Sequence, residues 1–282
     1  MSKKLTNNVC AFFSKPANVI LVVFLVVLAA LTLYPLLSLI GETLIVHPME
    51  VQIVGARKGS STGFHWKKLL FSGEYSINNF YKPFFNTMVM AVIASVIAII
   101  FGGMVAWLVT RSNIKYKKFI SFVFVFPYIM PSWTLAMFWV NFFRNKDTGM
   151  GITGIFTALT GISMPGWFVY GLFPCSVVLG LHYAPFAYIL IGGILRNMDA
   201  NLEEAATILK ADRKKILWRI TLPIVMPALL STFLLVFASS MSAYAVPVFL
   251  GSPVRFWVLT TKMYTMLTGS FPGQGYIMAF TM

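Results

Sequence analysis

Charged residues are scarce in this sequence: Asp, Glu, Lys and Arg make up 11% of its 282 residues, against about 25% in a typical soluble domain. Only eight of them are acidic. Cysteine is scarce as well, since the chain has only Cys10 and Cys175, and neither belongs to a CxxC pair or a Cys/His cluster of metal-site spacing. The sequence therefore predicts no metal site and no disulfide.

Catalytic motifs are also missing. The chain has no G-x-x-x-x-G-K-[ST] loop for nucleotide phosphates, no HExxH and no GxSxG. We expect no catalytic residue and no cofactor, and if the protein moves a solute uphill, the energy comes from another subunit. A secondary carrier usually keeps an ionised residue inside its membrane-spanning segments, and the long apolar runs of this sequence contain no Asp, Glu, Lys or Arg. That hypothesis stays open but is disfavoured.

Long apolar runs dominate what is present. Hydrophobic residues make up 58% of the chain, and the mean hydropathy is +0.80. A membrane helix needs roughly 20 apolar residues, and five runs without Asp, Glu, Lys or Arg have that length. They are Val19 to Ile40, Thr87 to Thr110, Phe119 to Phe143, Trp167 to Leu195 and Leu222 to Leu250. A sixth run opens at Tyr276 and is cut off at Met282. We predict an all-α polytopic membrane protein with five complete spans and the start of a sixth.

Lys and Arg mark three alternate connections as cytoplasmic. The amino end, the second connection and the fourth connection hold three, four and six of these bases. We predict a cytoplasmic amino end at 1–18, a first span at 19–40, an external loop at 41–86 and a core at 87–282 with a cytoplasmic loop at 196–221. The first apolar run has 22 residues, whereas signal-peptide cores have about 7–15, so it should be an uncleaved span. The net charge of +14 then indicates anionic lipid of the bilayer rather than nucleic acid.

Prolines make the third, fourth and fifth runs irregular. Each removes a backbone hydrogen bond, which a bilayer tolerates where protein or a wet cavity satisfies the freed carbonyl. These spans are therefore the best candidates to line a polar path, although kinks that serve only packing are an equal alternative. The candidate path residues are Tyr128, His182, Ser240 and Tyr244. For each one taken singly, packing is the competing interpretation; a lone His182 often donates to a nearby carbonyl.

The segment EEAATILKADRKK, residues 203–215, is the most charged part of the chain. Asn201 and Glu204 have the spacing of a capping box, which predicts a helix over 202–209. Asp212 is placed to cap a second short helix through Arg219, and Pro223 suits the first turn of the next span. The pattern predicts a helical elbow at the cytoplasmic face. The alternative is an amphipathic hairpin that lies among lipid head groups.

The pattern Glu204-Ala205-Ala206, followed by Ile220-x-Leu222-Pro223, resembles the "EAA" loop E-A-A-x3-G-x9-I-x-L-P of permease subunits of binding-protein-dependent ABC importers. Phe85-Asn86-Thr87 resembles the N-[ST] start of that family's core. Residues 221–264 resemble permeases of the ferric iron type, a group similar to those for thiamine, polyamines and aminophosphonates. The likeness runs from about Asn86 onward.

The resemblance implies a type I importer transmembrane domain in a bacterial cytoplasmic membrane, with ATP hydrolysed by separate cytoplasmic subunits. It implies an external substrate-binding protein and a second permease half as further partners; the chain resembles the first half of a fused two-half permease, ending inside its sixth span. It assigns the contact with the ATPase to the elbow, residues Glu203, Glu204, Ala205, Ala206, Lys210, Ala211, Asp212, Ile220, Leu222 and Pro223. Lys210 departs from the family glycine, and a left-handed turn there is costly for lysine. A membrane-anchored protein without transport activity remains an alternative.

Overall fold

The computed structural model describes residues 15–145, 151–198, 206, 208 and 210–282. These residues form helices joined by short connections, with a single isolated bridge between Ile45 and Ser61. The α-helices are α1 (Pro16–Glu42), α2 (Val51–Val54), α3 (Phe64–Phe71), α4 (Glu74–Ser76), α5 (Lys82–Arg111), α6 (Lys117–Ile129), α7 (Ser132–Phe143), α8 (Ile155–Thr160), α9 (Gly166–Val169), α10 (Leu172–Asn197), α11 (Arg213–Ile216), α12 (Leu222–Met241), α13 (Ala245–Leu250), α14 (Leu259–Leu267) and α15 (Pro272–Phe280).

Four helical stretches in the described residues are long and apolar enough to cross a membrane, and a bent pair makes up to five. The stretches are Pro16–Glu42, Glu74–Arg111, Gly166–Asn197 and Lys214–Met241. The predicted third run is not one helix, because α6 and α7 meet at 97° around Pro131. The predicted fifth run is shorter than expected as a continuous helix, since α12 ends at Met241 and α13 follows separately.

Contacts divide the chain into two compact units. The first contains the residues up to Ser72 together with Thr265–Thr281. In it, α15 packs against α1 and α3. No residue of α1 is buried, although the helix is apolar around its whole circumference. A helix with that surface is stable only when lipid or another protein covers it, so α1 has the character of a membrane span.

A buried polar cluster holds the first unit together. Glu50 is fully buried, and its carboxylate accepts hydrogen bonds from the backbone N–H of Gly273 (3.1 Å) and of His47 (3.2 Å). His65 is also fully buried, with its Nε2 3.3 Å from Glu50 and 3.1 Å from the Ile45 carbonyl oxygen. Since a buried charge is costly without partners, these contacts fix the 41–72 segment against the start of α15. Sequence reasoning gave this loop no such role.

The second unit, Gly73–Tyr264 with Met282, is built around α5 and α10. These helices run parallel, because the amino-terminal half of one packs on the amino-terminal half of the other in one core cluster and their carboxyl halves meet in a second. Glycines let them approach: a Cβ added at Gly102 would lie 2.6 Å from the Cβ of Ala187, and one at Gly180 2.7 Å from the Cβ of Ile97. Small residues at these crossings bring the helix backbones together.

Two π-helical segments precede prolines in this unit. They are Ile77–Tyr81 and Leu217–Thr221, and the second residue after each is Pro83 or Pro223. Proline donates no N–H and its ring crowds the carbonyl four residues earlier, so a wider turn relieves the clash. The predicted second short helix of the elbow is consequently not separate, because residues 214–241 form one continuous helix through the second π-segment.

Candidate translocation cavity and coupling loop

The break in the third run is explained by its two prolines. In a regular α-helix, the N–H of residue 131 would donate to the carbonyl of residue 127, but Pro131 has no N–H. His182 on α10 supplies the replacement, with its Nδ1 3.0 Å from the Pro127 carbonyl oxygen. Since a carbonyl only accepts, Nδ1 carries the proton. The histidine therefore supports the bend between α6 and α7.

A cavity of about 530 Å³ opens at this bend. It brings together two of the four candidate path residues, Tyr128 and His182, whose ring centroids are 5.9 Å apart. The Tyr183 hydroxyl donates to the Ser239 carbonyl oxygen at 3.4 Å on the α12 side. The complete lining is Tyr128, Ile129, Met130, Pro131, Ser132, His182, Tyr183, Phe186 and Ser239.

The other two candidate path residues do not line this cavity. Ser240 is fully buried, and its Oγ has no hydrogen-bond partner among the described residues. Tyr244 is 38% exposed, and its ring lies 5.3 Å from that of Tyr264. Sequence reasoning missed Ser239 because adjacent serines on a helix point about 100° apart, and hydropathy does not say which one faces the cavity. The proximity of Tyr183 to His182 in the chain was the available signal.

The cavity is lined by uncharged polar groups and aromatic rings. It offers hydroxyl and carbonyl oxygens, aromatic faces and one imidazole, and none of its lining residues is Asp, Glu, Lys or Arg. In the part of the chain that the structure describes, no group of three or more His, Cys, Asp or Glu residues could hold a metal ion.

The elbow is described in part. Glu203, Glu204 and Ala205 lie outside the described residues, as do Asn201 of the predicted capping box and Leu202, the predicted first residue of the helix. Ala206 and Ile208 are helical, and the helix closes with the Ala211 N–H donating to the Ala206 carbonyl oxygen at 3.0 Å. Lys210 has a φ of +58°, so it holds the left-handed position that the family pattern gives to glycine. A hydrogen bond that closes a six-residue turn, with the left-handed Lys210 just before the donor Ala211, is characteristic of a Schellman turn.

The remaining elbow residues lead directly into the fifth run. The N–H of Ile216 donates to the Asp212 carbonyl oxygen at 3.0 Å, which places Asp212 just before α11. Its side chain as the helix cap stays a prediction. Ile220 lies in the π-segment, and Leu222 and Pro223 form the first turn of α12. Ile208, at the exposed surface of the elbow, is 81% exposed.

Asn86 and Thr87, near the start of α5, have a structural role. The Asn86 side-chain amide donates to the Trp257 carbonyl oxygen at 2.9 Å, and the Leu259 N–H donates to the Thr87 hydroxyl at 2.8 Å. Together they tie α5 to the segment that precedes α14.

Comparison with known proteins gives the same family as the motifs. Residues 98–282 match the family model described as binding-protein-dependent transport system inner membrane component. The chain is 26% identical over 190 residues to the ferric transport system permease protein FbpB of Actinobacillus pleuropneumoniae, covering 66% of this chain and 26% of that protein. It is 23% identical over 177 residues to the sulfate transport system permease protein CysT of Salmonella typhimurium, covering 63% of this chain and 61% of that protein.

The fold agrees with a solved transporter. The structure of a bacterial ABC transporter involved in the import of the acidic polysaccharide alginate superposes with a TM-score of 0.73. The match covers 99% of this chain and 92% of that chain at 16% identity, so it concerns the fold alone. The chain spans about a quarter of the length of the ferric permease it matches. By the family match over residues 98–282, the chain belongs to the inner membrane components of binding-protein-dependent transport systems.

Proposed function

We propose that this chain is the permease component of an ATP-driven importer that passes a small solute from an external binding protein across the bacterial cytoplasmic membrane. The observation that carries the proposal is the family match over 98–282, since it includes both the cavity at the α6–α7 bend and the elbow. The chain catalyses no covalent step itself. ATP hydrolysis belongs to separate cytoplasmic subunits.

The proposed contact with the ATPase is the elbow. Exposed Ile208 and the neighbouring EAA residues enter a groove on that subunit, and the Schellman turn at Lys210 fixes the direction in which the chain leaves it. The continuous helix over 214–241 then passes the displacement into the membrane without a flexible joint. ATP binding shifts the permease between inward-facing and outward-facing states through this contact.

The proposed path begins with the cavity around Tyr128 and His182, and Ser240 and Tyr244 line other parts of it. For the cargo we favour the ferric iron type, on the ferric relatives and the 221–264 segment. Sulfate is the second candidate, because a sulfate permease matches at similar identity and over more of its own length.

The working complex contains two ATPase subunits, an external substrate-binding protein and a second permease half, supplied by another chain or by a continuation of this one. The lipid bilayer covers α1, and the amino end lies in the cytoplasm. Nucleic acid has no place in it. The family description itself includes a binding protein, which supports that partner.

The test is the ATPase rate of the complete complex in proteoliposomes, with and without loaded binding protein. Glu204→Lys should abolish the stimulation by binding protein while the complex still assembles. Glu74→Lys makes the same charge change at an exposed residue of α4, outside the elbow, and should leave stimulation intact. If no ATPase copurifies, or if both variants behave as the wild type does, a carrier or an anchored protein without transport replaces the permease proposal.

A further inference from the structure

A polar cavity of about 380 Å³ lies at the Lys82 end of α5. Because α5 and α10 run parallel, this end is opposite to the one that leads into the elbow. The polar side chains that line it are Asn78, Asn79, Lys82, Asn86, Arg255 and Lys262, all from the second unit. We call it the basic cavity.

Its charges have one sign. Three lining residues are cationic, and no Asp or Glu lines the cavity. The acid nearest in sequence is Glu74, which precedes Asn78 by one helical turn, is exposed and is not part of the lining. Like charges in a small space repel one another, and an anion bound between them removes that repulsion. A bare metal cation, in contrast, is repelled.

The wall of the basic cavity is held in place before any ligand arrives. Asn86 donates to the Trp257 carbonyl oxygen at 2.9 Å, and Thr87 accepts from Leu259. The Trp257 ring in turn lies 5.7 Å from the Nζ of Lys262. These contacts order Asn86 and Trp257, while Lys82 and Arg255 line the cavity from exposed positions.

The backbone is irregular on both sides of the cavity. The π-segment Ile77–Tyr81 presents Asn78 and Asn79, and Arg255 has a left-handed φ of +56°. The left-handed conformation is unfavourable for a residue with a side chain relative to the right-handed one. The strained backbone at Arg255 brings its side chain to the cavity, and strain of this kind is found at binding sites.

Lys262 is half-buried in the wall, and burial lowers the pKa of its ammonium group by removing hydration. An anion beside the ammonium group stabilises its charged form. The guanidinium of arginine, the ammonium of lysine and the side-chain amide of asparagine all donate hydrogen bonds. Oxygens of carboxylate, sulfate and phosphate groups accept such bonds.

We propose that the basic cavity is a binding site for an oxyanion: a carboxylate, sulfate or phosphate group. The group is carried by a small free anion or by the acidic side chain of a docking polypeptide. The binding of an oxyanion does not depend on transport. That the basic cavity lies at the external entry of the path, in contrast, rests on the function proposed above. The positive charge of the lining favours an anionic chelate of iron over the free ferric ion.

The experiment is equilibrium dialysis of the purified full chain, in nanodiscs of zwitterionic lipid, against radiolabelled sulfate at constant ionic strength. We expect saturable binding of one sulfate per chain. If the site also accepts carboxylates, a short polyglutamate peptide should compete with sulfate for it. Lys262→Gln and Arg255→Gly should each weaken binding about tenfold or more, the loss expected for one charge-assisted hydrogen bond. Glycine is favoured at the φ of Arg255, so that variant loses the guanidinium without losing the fold.

The control is Lys214→Gln, which removes one exposed charge at the elbow and should leave sulfate binding unchanged. Tight sulfate binding that polyglutamate does not displace identifies a free-anion site, and tighter polyglutamate binding identifies a docking polypeptide. Both outcomes support the proposal. It is overturned if neither probe binds, or if Lys214→Gln lowers affinity as much as Lys262→Gln does. If the wild-type chain binds sulfate but the complete complex shows no stimulation of its ATPase by loaded binding protein, the transport proposal fails and the oxyanion site stands.

Discussion

The Nδ1 of His182 lies 3.0 Å from the carbonyl oxygen of Pro127, which is the acceptor that Pro131 leaves without its helical donor. A histidine from α10 therefore completes the hydrogen bonding of a broken helix in another part of the chain. The same side chain lines the cavity at the bend, so the support of the bend and the lining of the cavity depend on one residue.

His182→Leu should lower the stability of the purified complex by about 1 kcal/mol, because it leaves a carbonyl in the membrane without a donor. His182→Asn is the matched variant, since its side-chain nitrogen occupies nearly the position of Nδ1 and can donate to Pro127. Thermal unfolding in detergent compares the two. Equal losses in both variants would show that the hydrogen bond contributes little.

Lys210→Gly should stabilise the elbow by about 1 kcal/mol, because glycine adopts the φ of +58° without the cost that lysine bears. The contrasting change is Arg219→Gly, at an exposed position inside the continuous helix over 214–241, which should destabilise by about 1 kcal/mol. Hydrogen exchange of the elbow amides measures both. If Lys210→Gly increases exchange, the left-handed turn is absent from the protein in solution.

Gly102→Ala should disrupt the contact of α5 with α10, because the new Cβ would lie 2.6 Å from the Cβ of Ala187 and 2.9 Å from the backbone nitrogen of Tyr188. Backbone atoms cannot yield as a flexible side chain can, so we expect a loss of about 1–3 kcal/mol or of folded yield. Gly193→Ala on α10 meets nothing within 4 Å and should be neutral or slightly stabilising. Folded yield by size-exclusion chromatography should separate the two variants, and a normal yield of Gly102→Ala would contradict the packing described for α5.

The stability of the first unit should fall as the pH drops below about 6.5. Burial lowers the pKa of the His65 imidazole, and this outweighs the opposing effect of Glu50. The unfolded chain therefore binds a proton at higher pH than the folded chain does, and the contribution of His65 to the free energy of unfolding is lost between the unfolded pKa and the lower folded one.

The measurement for this prediction is thermal unfolding at a series of pH values between about 7.5 and 5.5. His65→Gln should flatten the pH dependence, and Lys67→Gln, at an exposed neighbour, should keep it. A wild-type unfolding temperature that stays constant across this range would contradict the assignment to His65.

The fold class and the family were predictable because they rest on local properties. An uncharged apolar run of about 20 residues has few alternatives to a membrane helix, and the EAA spacing specified the family that the match over 98–282 confirms. The boundaries were less predictable, since hydropathy continues through Pro131 and Ser242 where the helices stop. The amino end of the elbow, including Glu203 and Glu204, stays a prediction.

The sequence by itself determined the class of the protein and its family, because hydropathy, charge and motif spacing act along the chain. Only the tertiary structure decided that His182 serves the carbonyl of Pro127, that Glu50 is buried against Gly273, and that Lys82, Arg255 and Lys262 surround one cavity. These residues are separated by 55, 223 and up to 180 positions, and no local pattern encodes such pairings. They follow from how the helices pack, which depends on the volumes and contacts of many side chains at once.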